Sequence, residues 1–240
     1  MRRIMLVSSA LLASAVLALP TATAGSIDSG YVRQIGTYDY LVSPDYDGLA
    51  PLGQATSGAT IGLGTFDRLN GELVMLGGTI YRVPTTGVPI EVSPSTRTPF
   101  VQAIDFTPDA KQRVARGTEC ADLGPVITDL AGTTNGIIAV RVHGSFKDLT
   151  TRSVPRQSKP YPPLSEVVTE QVEFDLGRTK ATLVGFWQGP SMTGVGAPGL
   201  HLHGLTSDRE AGGHVLSCTV GKARIAVQTT SGVIIENITH

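Results

Sequence analysis

Cysteine and charge are both scarce in this chain. Only two cysteines occur in 240 residues, Cys120 and Cys218, and neither has a partner at the CxxC spacing of a thiolate metal site. Outside the cytoplasm the two could pair; two buried free thiols fit the sequence equally well. Charged residues make up 16% and the formal net charge is -1. That balance gives no electrostatic reason to expect nucleic acid or an anionic membrane as a partner. HExxH is absent, which disfavours zincin peptidase chemistry, and without GxSxG or a Walker sequence two common hydrolytic readings lose support.

What is present is glycine, proline and short apolar runs. Hydrophobic residues make up 41%, with Gly 28 and Pro 15. Short runs of Val, Ile and Thr between turn formers favour a strand-rich fold. At the N-terminus, Arg2 and Arg3 precede the apolar run LLASAVLALP and then Ala22-Thr23-Ala24. This is the pattern of a secretory signal over residues 1–24, and its apolar run is too short to span a bilayer comfortably. The mature chain is expected to start near Gly25, to work outside the cytoplasm and to have no stable membrane association.

Along the rest of the chain, ELVMLGGTIYRV reads as a hairpin turning at Gly77-Gly78. TPFVQAIDF, GIIAVRVHGSF, KATLVGFWQG, HVLSCTV and ARIAVQT read as separate strands. The segment Ser153 to Leu164 holds four prolines and is expected to be an irregular crossover. SEVVTEQVEFD could give a short helix capped by Ser165. The expected division is 25–150 for an N-terminal β-rich half and 151–240 for a C-terminal one. A faint repeat supports two halves: TFDRLNGE and TSDREAGGH share Thr-x-Asp-Arg and a glycine turn, and end on Glu72 and His214.

Three of the five histidines lie in HLHGLTSDREAGGH. On a strand, His201 and His203 project from one face. The turn formers Gly204, Ser207, Asp208, Gly212 and Gly213 let the chain return, so His214 opens an antiparallel strand beside His203. Three imidazoles suit Zn²⁺, and Fe, Mn, Ni and Cu also accept nitrogen. Three protein ligands leave a coordination position open, the catalytic arrangement. Glu72 stands where a turn meets an apolar strand, so partial burial is expected. Arg141, Arg152 and Arg156 are all candidates to hold a carboxylate, and composition does not choose among them. His143 reads as a surface or structural histidine.

Taken in order, GLGTFDRLNGELV, STRTPF, VPRQSKPYPPL, TLVGFW and PGLHLHGLTSDREAGGHVL resemble the α-acetolactate decarboxylase family, from about Gln34 to about Val227. The resemblance implies an α+β fold of two β-rich halves, a mixed sheet and a barrel-like sheet, with a metal site in the cleft between them. It implies zinc on His201, His203 and His214, with Glu72 and Arg152 as catalytic residues and no organic cofactor. The implied substrate is a 2-hydroxy-3-keto acid, decarboxylated to acetoin through a metal-stabilised enediolate. No partner macromolecule is implied, and a homodimer is compatible. Family members carry a further tail that supplies another glutamate near the site. This chain stops at TTSGVIIENITH, where Glu236 is the only carboxylate.

Overall fold

The computed structural model describes residues 30–236. The expected signal segment, residues 1–24, lies outside them. The strands run β1 (Tyr31–Ile35), β2 (Ala50–Pro51), β3 (Ile61–Thr65), β4 (Glu72–Leu76), β5 (Thr79–Val83), β6 (Ile90–Glu91), β7 (Arg97–Thr98), β8 (Val101–Ile104), β9 (Ala110–Val114), β10 (Ile137–Ser153), β11 (Val172–Asp175), β12 (Thr179–Gln188), β13 (Gly199–Thr206), β14 (Gly212–Thr229) and β15 (Gly232–Glu236).

Two large sheets form. The first has seven strands in the order β15-β1-β8-β3-β4-β5-β6 and is mixed, because β15 lies parallel to β1 while the other pairs are antiparallel. The second has six strands in the order β11-β10-β12-β13-β14-β9. Its long strand β10 pairs with both β12 and β14, so β10, β12, β13 and β14 hydrogen-bond in a closed circuit. The hairpin at Gly77-Gly78 forms as the sequence indicates, both glycines having positive φ, 62° and 85°. That geometry matches the right-handed twist of the flanking strands.

Three expectations are revised, and the expected boundary between the halves falls within a strand. The α+β reading narrows to a mostly β protein with short helices. The longest helix among the described residues, Leu123–Ala131, has nine residues and ends on left-handed Gly132. The division at residues 150 and 151 falls inside β10, where Thr150 and Thr151 continue the ladders to β11 and β14. Neither sheet is a contiguous half of the chain, since β15 returns to the first sheet and β9 joins the second. HVLSCTV and ARIAVQT are one strand, β14, and Ser165 lies within the helix Leu164–Val167 rather than capping it.

Apolar alternation explains how the sheets stack. Ile61, Leu63 and Val74 of the first sheet share a buried cluster with Ala139, Val184, Phe186 and Leu205 of the second. The opposite face of the second sheet, including Val140, Val142, Leu183 and Ile225, packs with Leu123 and Ile127 of the helix. Each fully buried side chain of this size contributes about 1.5–3 kcal/mol. A buried glutamine chain also ties the layers together: Gln188 donates to Gln102 at 3.2 Å and Gln102 to Gln34 at 2.7 Å. Cys120 and Cys218 form a disulfide with a Cα–Cα distance of 5.0 Å, joining the turn before the helix to β14.

Candidate active site

The histidines are positioned by strand register. His203 on β13 stands directly opposite His214 on β14, and His214 stands opposite Arg152 on β10. Direct cross-strand pairs share a face, so three adjacent strands aim His203, His214 and Arg152 the same way. His201, two residues before His203, follows by alternation. The approach of β14 to β10 depends on Gly213, at φ 135°, where an added Cβ would lie 2.4 Å from the Arg152 carbonyl oxygen.

Glu72 comes from the other sheet, at the first position of β4. The turn before it holds Arg68 and Leu69 at φ 61° and 53°, a conformation that costs energy for residues with a side chain. Backbone bonds fix it: Arg68 N–H donates to the Tyr46 carbonyl, and Gln157 N–H to the Arg68 carbonyl, each at 2.7 Å.

His201 Nε2, His203 Nε2 and His214 Nδ1 converge, separated by 3.1, 3.1 and 3.2 Å. Three nitrogens bound to one zinc at 2.0–2.1 Å and tetrahedral angles lie about 3.3–3.4 Å apart. The donor set therefore fits a single small cation. His203 Nδ1–H donates to the Leu73 carbonyl at 2.7 Å, which turns the Nε2 lone pair toward the centre. His201 Nδ1 is buried with no partner of its own. Burial holds all three imidazoles below their ordinary pKa, His201 at about 4; Arg152 adds to the effect at each, and neighbouring imidazoles add to it at His203 and His214. Neutral rings are the ligand form.

Arg152 Nη1 donates to Glu72 Oε1 at 2.6 Å, and Glu72 Oε2 lies 3.5 Å from His203 Nε2. Burial raises the Glu72 pKa, and the charge of Arg152 works against that rise. All five residues line one cavity of about 250 Å³ whose remaining walls are largely apolar, among them Leu69, Phe100, Val154 and Leu200. Such a cavity suits a small ligand held by a few polar groups.

The other candidates lie elsewhere. Arg141 stacks over Phe106 at 5.3 Å, and Arg156 is exposed, 3.8 Å from Asp67. His143 is exposed and bonded to Thr182. Glu236 pairs with Arg33 and is not among the cavity-lining residues. The Leu73 carbonyl was not visible in the sequence, because a backbone group leaves no residue-type signal.

The model of the alpha-acetolactate decarboxylase family matches residues 32–238. An alpha-acetolactate decarboxylase of Methanosarcina mazei is 36% identical over 208 residues, 87% of this chain and 72% of the relative. One from Bacillus subtilis is 33% identical over 194 residues, 79% of this chain and 76% of the relative. The crystal structure of alpha-acetolactate decarboxylase from Bacillus subtilis strain 168 superposes with a TM-score of 0.82 at 30% identity, covering 87% of this chain and 90% of that one. Sequence and fold agree over most of the described residues, and the chain belongs to the alpha-acetolactate decarboxylase family of lyases.

Proposed function

We propose that this protein decarboxylates 2-acetolactate to acetoin and CO₂, with a divalent cation, zinc by the nature of the donors, held by His201, His203 and His214. The observation that carries the reading is the convergence of three neutral imidazole nitrogens within 3.2 Å of one another, in a cavity that also holds Glu72 and Arg152. Bound there, the cation would supply a Lewis acid for the ketone and hydroxyl oxygens of a 2-hydroxy-3-keto acid.

The chain's own residues have separable tasks. Arg152 keeps one nitrogen on Glu72 and has further N–H donors for the substrate carboxylate. The bond between that carboxylate and the hydroxyl-bearing carbon breaks, CO₂ leaves, and the electron pair passes to the adjacent carbonyl. A proton must then return to the carbon that lost CO₂. Glu72, whose pKa burial raises, holds a proton more readily than an exposed carboxyl and would deliver it. The apolar walls exclude water, and no organic cofactor is required.

The test is acetoin formation from racemic acetolactate. Zinc-loaded protein should form acetoin, chelator should stop it, and His203→Ala should lose both metal and activity. Absence of acetoin from the zinc-loaded protein would overturn the reading. It would favour a metal-binding protein without catalysis, a reading supported by Glu236 lying against Arg33 instead of in the cavity. Export is part of the proposal: the Cys120–Cys218 disulfide supports an oxidising compartment. Terminal sequencing of the protein from cell fractions checks it, with cleavage after Ala24 expected.

A further inference from the structure

The second sheet carries cations that the candidate site does not use. Lys180 on β12 and Lys222 on β14 both stand directly opposite Ser145 on β10. Their side chains therefore leave one face of the sheet. Two residues along, His143 lies between Thr182 and Arg224, and Arg224 stands opposite Arg113 on β9. A further step gives Lys111 opposite Ala226, with Arg141 on its other side. The alternate residues of the same strands, such as Val142, Leu183 and Ile225, are core.

At the end of this face the ladder breaks. Gly221 on β14 and Lys147 on β10 have no opposite residue in the β10–β14 pairing. A Cβ on Gly221 would lie 2.9 Å from the Ser145 carbonyl oxygen, so glycine keeps the surface hollow. The result is a concavity of about 410 Å³, lined by Arg116, Lys147, Arg178, Lys180 and Lys222, with buried Phe146 beneath.

No Asp or Glu occurs in residues 110–114, 137–146, 179–188 or 222–229. Among the described residues none of these lysines and arginines is in an ion pair. Arg113 and Arg224, directly opposed and both exposed, repel each other. No ion pair among the described residues offsets that repulsion, which leaves the arrangement open to an external anion.

We propose that this face binds a linear polyanion bearing phosphate groups. Neighbouring strands are about 4.8 Å apart and same-face residues about 6.8 Å apart. The cations thus form an array that suits a chain of charges better than one monovalent ion. None of the exposed large apolar residues lies on this face, which leaves nothing to enter a bilayer. It also presents no exposed aromatic ring for stacking bases. Lys180, at the concave end of the face, is four residues along β12 from Val184, the cross-strand partner of His203, or about 13 Å, so an occupant of that end leaves the cavity open.

The experiment is titration of the full protein with long-chain inorganic polyphosphate at low and at physiological salt. Binding is expected, weakening by about tenfold or more at the higher salt. Arg113→Gln/Arg224→Gln and Lys180→Gln/Lys222→Gln should each weaken it by about tenfold and leave acetoin formation unchanged. Both variants should melt no lower than the parent, since they relieve repulsion. Failure of the parent to bind, or full binding by both variants, overturns the proposal. So does tighter binding to phosphatidylglycerol vesicles or to a single-stranded oligonucleotide, which would make the ligand a membrane or a nucleic acid. The binding arm reads out whether or not acetoin is formed.

Discussion

Arg152 and Glu72 reach each other from different sheets, with Arg152 Nη1 donating to Glu72 Oε1 at 2.6 Å. The pair is nearly buried, so each residue needs the other. Arg152→Met leaves a buried carboxylate unpaired and should destabilise the protein by about 3–5 kcal/mol, moving the Glu72 pKa further up. Glu72→Gln keeps an oxygen to accept from Arg152 but leaves its charge uncompensated, so it should also lose stability, while acetoin formation falls by about 10²–10⁴-fold. Denaturant titration and initial rates on both variants check this. A Glu72→Gln enzyme with the parent rate would remove Glu72 from the chemistry.

The three histidines predict an acid sensitivity of metal-free protein. Their folded pKa values lie below the ordinary 6.5, His201 at about 4, with burial the first cause. A depressed histidine pKa means that the unfolded chain binds more protons between the two values. Stability is then fully present above about 6.5 and declines as pH falls toward 4. Chelator-treated protein should therefore melt at progressively lower temperature across that window. His203→Ala should flatten the decline, because one of the three groups is gone. A melting temperature that stays level from pH 7 to 4.5 would refute the assignment.

The part of this site readable from sequence is the part set by strand period. HLH shows two same-face histidines because alternation is local, and the glycine-rich return marks His214 as reachable. The choice among Arg141, Arg152 and Arg156 was not local. It depends on the register that places Arg152 opposite His214, fixed by the ladders of β10. The same ladders hide the sheet division, since β10 passes through residue 150 without a turn signal. Gly221-Lys222 reads as a break between strands, yet it is a bulge within β14. Net charge was the least informative quantity: a sum of -1 conceals a clustering of cations on β9, β10, β12 and β14.

The disulfide predicts a stability effect separate from the site. Cys120 and Cys218 are 98 residues apart, so the bond constrains a long loop in the unfolded chain. Replacing both with alanine should cost about 2–5 kcal/mol. Cys218 lies on β14, four residues beyond His214, while the register of His214 is set by Arg152 and His203. The variant should therefore bind zinc as the parent does when assayed well below its melting temperature. A loss of zinc affinity without unfolding would show instead that the bond helps to place His214.

Gly213 gives the sharpest separation of backbone strain from site geometry. It sits at φ 135°, beside His214, and a Cβ there would lie 2.4 Å from the Arg152 carbonyl oxygen. Gly132 also has positive φ, 68°, but a Cβ there meets nothing within 4 Å. Alanine at either position incurs a conformational penalty of about 1–3 kcal/mol. Only alanine at Gly213 must also push β14 away from β10, because the opposing atom is backbone and has no rotamer to move. His214 would travel with β14 and open the triangle of nitrogens. Gly132→Ala should therefore lower the melting temperature and keep full zinc content. Gly213→Ala should lower both, and its acetoin rate should not return on adding zinc at concentrations that saturate the parent. Equal zinc content in the two variants would mean that the close approach of β14 to β10 does not position His214.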